Sequence, residues 1–155
     1  MDGAVGAAFL MLSRRGLRRE RPSFRGPASF SGVFKKILVG TDGSKTAGKA
    51  VDRAVDLAKT VGASVTIMTA GRGDGAQAVV DREAKRHAKA GVKIDTTVVE
   101  GDPSSALVDT AEAGGYDLLV VGNKGMTGAS RFFLGSVPNK VSHHIGKSML
   151  IVKTT

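Results

Sequence analysis

The chain has 155 residues, enough for one domain with a real core. It carries 23 Lys and Arg against 14 Asp and Glu, a net charge of +9, and no cysteine, which excludes disulfides, thiol catalysis and thiolate metal sites. With 41% hydrophobic residues it is globular in class, and with 5% aromatics and no basic stripe interleaved with aromatic residues it is expected to take no specific nucleic acid.

The charge is uneven. Residues 1–32 hold six arginines (14, 15, 18, 19, 21 and 25) against Asp2 and Glu20, a net of +4. Such a balance permits phosphate or polyanion partners without naming one. The segment has no sustained period, and its apolar run Ala4 to Leu12 is too short to span a membrane. The run precedes the charge, the reverse of a secretory signal, and nothing apolar follows Arg14-Arg15. A transit peptide is compatible with the arginine-rich composition. The expectation is a disordered or untranslated basic extension over 1–32, with Val33 as an alternative start, and one domain over 33–155.

From residue 35 strands and helices alternate. "KKILVG" reads as a buried strand, and "SKTAGKAVDRAVDLAKTVG" as a helix with Ser44 as N-cap and Gly62 as stop. "ASVTIMTAG" is a second strand, "AQAVVDREAKRHAKAG" a second helix, and "VKIDTTVVEG" a third strand. "DPSSALVDTAEAGG" follows as a helix, with Asp102 as N-cap and Pro103 in the first position. "YDLLVVG", "SVPNKVSHHIG" and "SMLIVKTT" complete the pattern as strand, helix and strand. Alternation of this kind predicts parallel strands, and the unbroken runs "LLVV" and "MLIV" fit strands covered on both faces. The expected fold is α/β, a doubly wound three-layer sandwich with a five-stranded parallel sheet in the order 3-2-1-4-5. Ligands in such sheets bind at the carboxyl ends of the strands flanking the switch point. The segments meeting there are "VGTDGS" (39–44) and "VGNKGMTG" (121–128).

The second of these is rich in glycine. Gly122 lets a ligand approach the backbone, Gly125 and Gly128 permit an anion-binding nest, and Gly135-Ser136 opens a helix whose N–H groups suit phosphate. Pro138 is tolerated in that first turn, and Lys124 and Arg131 add positive charge. The plainer alternative is that the glycines shape a loop, Ser136 caps a helix and Asp42 belongs to an Asp-Gly turn. The position of both loops at the switch point favours a ligand. "GNKGMTG" lacks the lysine-serine ending of a P-loop. Adjacent His143 and His144 point about 100° apart on a helix and share no metal, and His87 lies alone on a charged face. Phe132, Phe133 and Leu134 are expected to pack beneath the loop.

The spacing Gly122-x-x-Gly125, nine residues, then Gly135-Ser136 resembles the nucleotide motif of the universal stress protein family. "KKILVGTDGS", "VVEGDPSSALVDTAEAGGYDLLVVGNKG", "LGSVPNKVSHH" and "MLIVKT" resemble the same family, so the similarity covers about residues 33–155. The resemblance implies an adenine nucleotide alpha hydrolase-like fold and a cytoplasmic homodimer that binds ATP, with Mg2+ as a companion ion. It implies that Thr41 and Asp42 lie towards the ribose or a phosphate-bound metal and that Ala70 lines the adenine slot. Gly122 would contact the ribose and phosphate side, while Gly125, Gly135, Ser136 and Val137 would hold phosphates. The link "GRGDG" between the second strand and helix is shorter than in many members, which leaves cyclic AMP as an alternative ligand. The leading expectation is a regulatory stress protein, with a slow ATPase or a nucleotide-independent interaction module as alternatives. The apolar last strand lies at a sheet edge and needs cover, from the chain's own segments or from a second subunit, and the resemblance favours a second subunit.

Overall fold

The computed structural model describes residues 32–124 and 134–154. Its elements are β1 (Lys36–Gly40), α1 (Lys45–Val61), β2 (Ser64–Ala70), α2 (Gly73–Arg86), β3 (Ile94–Val99), α3 (Pro103–Ala113), β4 (Leu118–Gly122), α4 (Ser136–His144) and β5 (Ser148–Val152). All pairings are parallel and the sheet order is β3-β2-β1-β4-β5, as the alternating pattern predicts.

Successive residues of a strand face opposite sides, and β1 uses both. Ile37 and Val39 pack with Ala50, Val51, Ala54 and Val55 of α1 and Val80 of α2. Leu38 points the other way, to Met68, to Leu107 and Ala111 of α3, to Leu119 and Val121 of β4, and to Val141 of α4. The helices therefore divide two and two across the sheet, and each fully buried Leu, Ile or Val contributes about 1.5–3 kcal/mol. The buried stripe of α1 is mostly alanine and valine, which lets that helix lie close to the strands.

Local chemistry sets the helix ends. The Ser44 hydroxyl accepts from Ala47 N at 3.1 Å, and Gly62 closes α1 at φ +74. Asp102 accepts from Ser105 N at 3.1 Å ahead of Pro103. Both caps agree with the expectation. The second helix differs from it. It begins at Gly73, with two residues between it and β2, and its helical span ends at Arg86, after which residues to Ala90 continue as turns. A glycine-rich first turn is tolerated here because the helix is anchored further along by buried Val80 and Glu83.

At the amino end of the sheet, the carboxylate of Asp117 accepts from Lys35 N and Lys36 N at 2.8 and 2.9 Å. At the carboxyl end stand the loops that matter for function.

Candidate functional site

The register brings those loops together. Gly40 pairs with Met68, Val39 pairs with Val120, and Gly122 pairs with Val152, so β1, β2, β4 and β5 end at one edge. The chain leaves β1 towards α1 on one face and β4 towards α4 on the other, which opens the crevice where such sheets bind ligands.

The loop after β1 satisfies itself. Thr41 N donates to Met68 O at 2.9 Å, and the buried Thr41 hydroxyl accepts from Gly43 N at 3.1 Å. Asp42 Oδ1 accepts from Ser44 N at 2.9 Å, while the residue stays exposed. Gly43 takes φ +79, a conformation side-chain-bearing residues rarely adopt. Asp42 is thus a turn residue in its contacts, and it stands on the rim of the crevice as well.

The segment after β4 is pinned by Asn123. Its N–H donates to Val152 O at 2.8 Å, and its backbone carbonyl accepts from Gly135 N at 2.9 Å. Its side-chain oxygen accepts from Thr154 N and Thr154 Oγ1 at 2.8 and 2.9 Å. Lys49 Nζ of α1 reaches Thr154 O at 2.8 Å. One residue thus joins the end of β4, the end of β5 and the start of α4. The fit is close: a Cβ on Gly135 would lie 3.1 Å from Asn123 O, and one on Gly122 would lie 3.2 Å from the Thr154 methyl. Lys124 is buried, not an exposed charge at the loop mouth.

Gly135, not Ser136, is the N-cap of α4, and among the described residues no side chain caps the helix. Ser136 is exposed at the first helical position, followed by half-buried Val137 and buried Pro138. Unpaired N–H groups and the partial positive charge of a helix start make a donor set suited to an anionic group such as phosphate. Gly125, Gly128, Arg131, Phe132 and Phe133 lie outside the described residues. Leu134 is 38% exposed.

On the far side of β1, Ala70 ends β2 opposite Val99 and is half-buried. Only Gly71 and Arg72 separate it from α2, and Arg72 Nε pairs with Glu100 at 2.9 Å. The described residues therefore place Thr41, Asp42, Ala70, Gly122, Gly135, Ser136 and Val137 at the carboxyl edge of the sheet. Sequence reasoning missed Asn123 and Thr154, which are 31 positions apart and carry no local motif.

Charges elsewhere serve the scaffold. Ser105 N, with Lys140 nearby, holds the Asp102 carboxyl below its ordinary range, and the N–H groups of Lys35 and Lys36 do the same for Asp117. Burial works against the charge of Arg86, but Glu83 and Asp52 outweigh it and raise its pKa. His87 is not alone on a charged face: it is half-buried, with Nε2 3.0 Å from Asp52 Oδ1 in an alignment that makes no hydrogen bond. Among the described residues, no three His, Asp or Glu gather as a metal cluster, and no helix is long and apolar enough to cross a membrane.

Comparison with known proteins agrees with this architecture. The model of the universal stress protein family matches residues 34–79 and 69–153. Universal stress protein YxiE of Bacillus subtilis is 31% identical over 152 residues, covering 78% of this chain and 100% of the relative. Universal stress protein Rv1636 of Mycobacterium tuberculosis is 35% identical over 144 residues, covering 79% and 99%. A universal stress protein solved in complex with cAMP is 37% identical and superposes with a TM-score of 0.69, covering 79% of this chain and 98% of that one. The family model spans most of the described domain, the relatives cover more than three quarters of the chain, and the chain belongs to the universal stress protein family.

Proposed function

We propose that this chain is an adenine-nucleotide-binding regulatory protein that takes ATP in the crevice between the loops after β1 and β4. The observation that carries the reading is the start of α4. It is capped by a glycine, with no side-chain cap among the described residues, and it lies at the switch point behind a glycine-rich segment. That donor set fits a phosphate chain. In this reading Ser136 and Val137 offer backbone N–H groups, the Ser136 hydroxyl adds a donor, and Gly122 and Gly135 keep the wall low. Gly125 would extend the same cradle. Thr41 and Asp42 face the ribose or a phosphate-bound Mg2+, and Ala70 borders the base.

Cyclic AMP is the second reading, favoured by the 37% identical relative solved in complex with cAMP. Both ligands share adenine, ribose and phosphate, so the same crevice serves either. Binding would tune the protein's state.

The exposed Leu150 and Ile151 of edge strand β5 support a homodimer formed along that edge. Sedimentation equilibrium checks this: a dimer mass that falls to a monomer in Ile151→Lys is expected, and a monomer at all concentrations contradicts it.

Calorimetric titration of ATP, then of cyclic AMP, into nucleotide-stripped protein tests the site. Saturable binding of ATP supports the first reading, and binding of cyclic AMP alone supports the second. No binding of either refutes both.

A further inference from the structure

The loop carrying Thr41 and Asp42 is held from outside by α2. Arg82 Nη2 donates to Gly43 O at 2.7 Å. A Cβ on Gly43 would lie 3.0 and 3.1 Å from the Val79 methyls and 3.1 Å from that same Nη2, so α2 lies against the loop's backbone. The carbonyl that Arg82 grips belongs to the Gly43–Ser44 peptide. The N–H of that peptide is the one that donates to Asp42 Oδ1. A peptide is a rigid plane, so fixing its carbonyl fixes its N–H. A donor on the carbonyl also polarises the N–H and strengthens its bond to the carboxylate.

Arg82 is itself held. Its Nη2 lies 3.6 Å from Glu83 Oε1, and the Glu83 side chain is 6% exposed. Glu83 Oε2 accepts from Arg86 Nε and Nη2 at 3.1 and 2.7 Å. Arg86 Nη2 reaches Gly48 O and Asp52 Oδ1 on α1 at 3.2 and 2.7 Å. Removing Arg82 therefore leaves the buried Glu83 paired with Arg86.

We propose that Arg82 is a positioning residue for the nucleotide site, acting through the Gly43–Ser44 peptide to set the orientation of the Asp42 carboxylate. This rests on the nucleotide-binding reading above. Arg82 touches no ligand in this account. It ties α2, which follows Ala70 on the base side, to the loop that faces the ribose and phosphates. The same helix thereby links the base side of the crevice to the loop after β1.

The test is a double-mutant cycle in nucleotide affinity, titrating ATP and cyclic AMP into wild type, Arg82→Ala, Asp42→Ala and the double variant. Arg82→Ala is expected to weaken binding about fivefold, the scale of one partly exposed hydrogen bond to a charged donor. In the Asp42→Ala background the same change is expected to have no further effect, because the group it orients is gone. Arg82→Lys, which keeps a cationic donor, is expected to recover part of the loss. A loss from Arg82→Ala that persists in full without Asp42 would overturn the proposal, as would wild-type affinity in Arg82→Ala, while leaving the nucleotide site standing. A wild type that binds neither nucleotide would overturn the site and the proposal together.

Discussion

The two loops that meet beside β1 and β4 are built in opposite ways. After β1, Thr41, Asp42 and Ser44 spend their side chains on the turn itself, and Arg82 secures the Gly43 carbonyl from behind. After β4, Asn123 pins the two ends of a long glycine-rich excursion, and the helix that follows has no side-chain cap. The first loop is a preformed wall. The second ends at a helix start that no described side chain caps. A crevice with one finished wall and a helix start on the other is suited to a ligand that brings its own negative charge.

That contrast can be broken at its anchor first. Asn123→Ala removes the acceptor for both Thr154 N and Thr154 Oγ1 in a half-buried setting, and should lower unfolding free energy by about 2 kcal/mol. Urea denaturation measures it, and Asn123→Asp, which keeps an acceptor oxygen, should lose less. Gly122→Val is a poorer probe of the ligand, because its Cβ would press on the Thr154 methyl at 3.2 Å.

Ser136→Asp acts on that helix start alone. A carboxylate in the first turn suits the helix, so thermal stability should hold or rise by about 0.3–1 kcal/mol. A phosphate at the same place would be repelled, and ATP affinity should fall on the order of tenfold, about 1.4 kcal/mol. Calorimetry and melting of the same sample separate the two effects.

A smaller effect compares the caps directly. Ser44→Ala removes the bond to Ala47 N and should destabilise by about 1 kcal/mol. Ser136→Ala, at a helix start with no side-chain cap, should change stability within about 0.5 kcal/mol. Equal losses in chemical denaturation would erase the distinction between the loops.

The amino end of the sheet supplies the smallest effect and a control. The Asp117 carboxyl has its pKa lowered in the fold by the N–H groups of Lys35 and Lys36. Its contribution is therefore complete above the unfolded carboxylate value of about 4 and is lost as pH falls through the lowered folded value. Asp117→Asn should flatten the acid limb of the stability curve below about pH 4, with nucleotide affinity at neutral pH unchanged. Urea midpoints taken across that limb, beside a titration at pH 7, check both halves.

Much of this was legible in the sequence because it is local or periodic. The run "LLVV" reads as a strand covered on both faces, and it became β4, an interior strand between β1 and β5. Ser44, Gly62 and Asp102 announce helix ends through chemistry within three or four residues of themselves. The early start of α2 was hidden, since a glycine-rich turn that looks like a loop is held helical by Val80 and Glu83 further on. The contacts that shape the site were hidden for a different reason. Arg82 and Gly43 are 39 positions apart, and Asn123 and Thr154 are 31 apart, so only the parallel crossovers bring them together. Sequence pattern finds the glycines of a crevice more readily than the side chains that brace it.

The most direct test follows the backbone amides of the protein by heteronuclear NMR as ATP is added. The largest saturable shifts are expected at Ser136 and Val137, whose N–H groups are proposed to meet phosphate, with Gly43 and Ser44 moving less because their amides are already bonded to Thr41 and Asp42. Unchanged Ser136 and Val137 amides at saturating ATP, or no saturation at all, would contradict it.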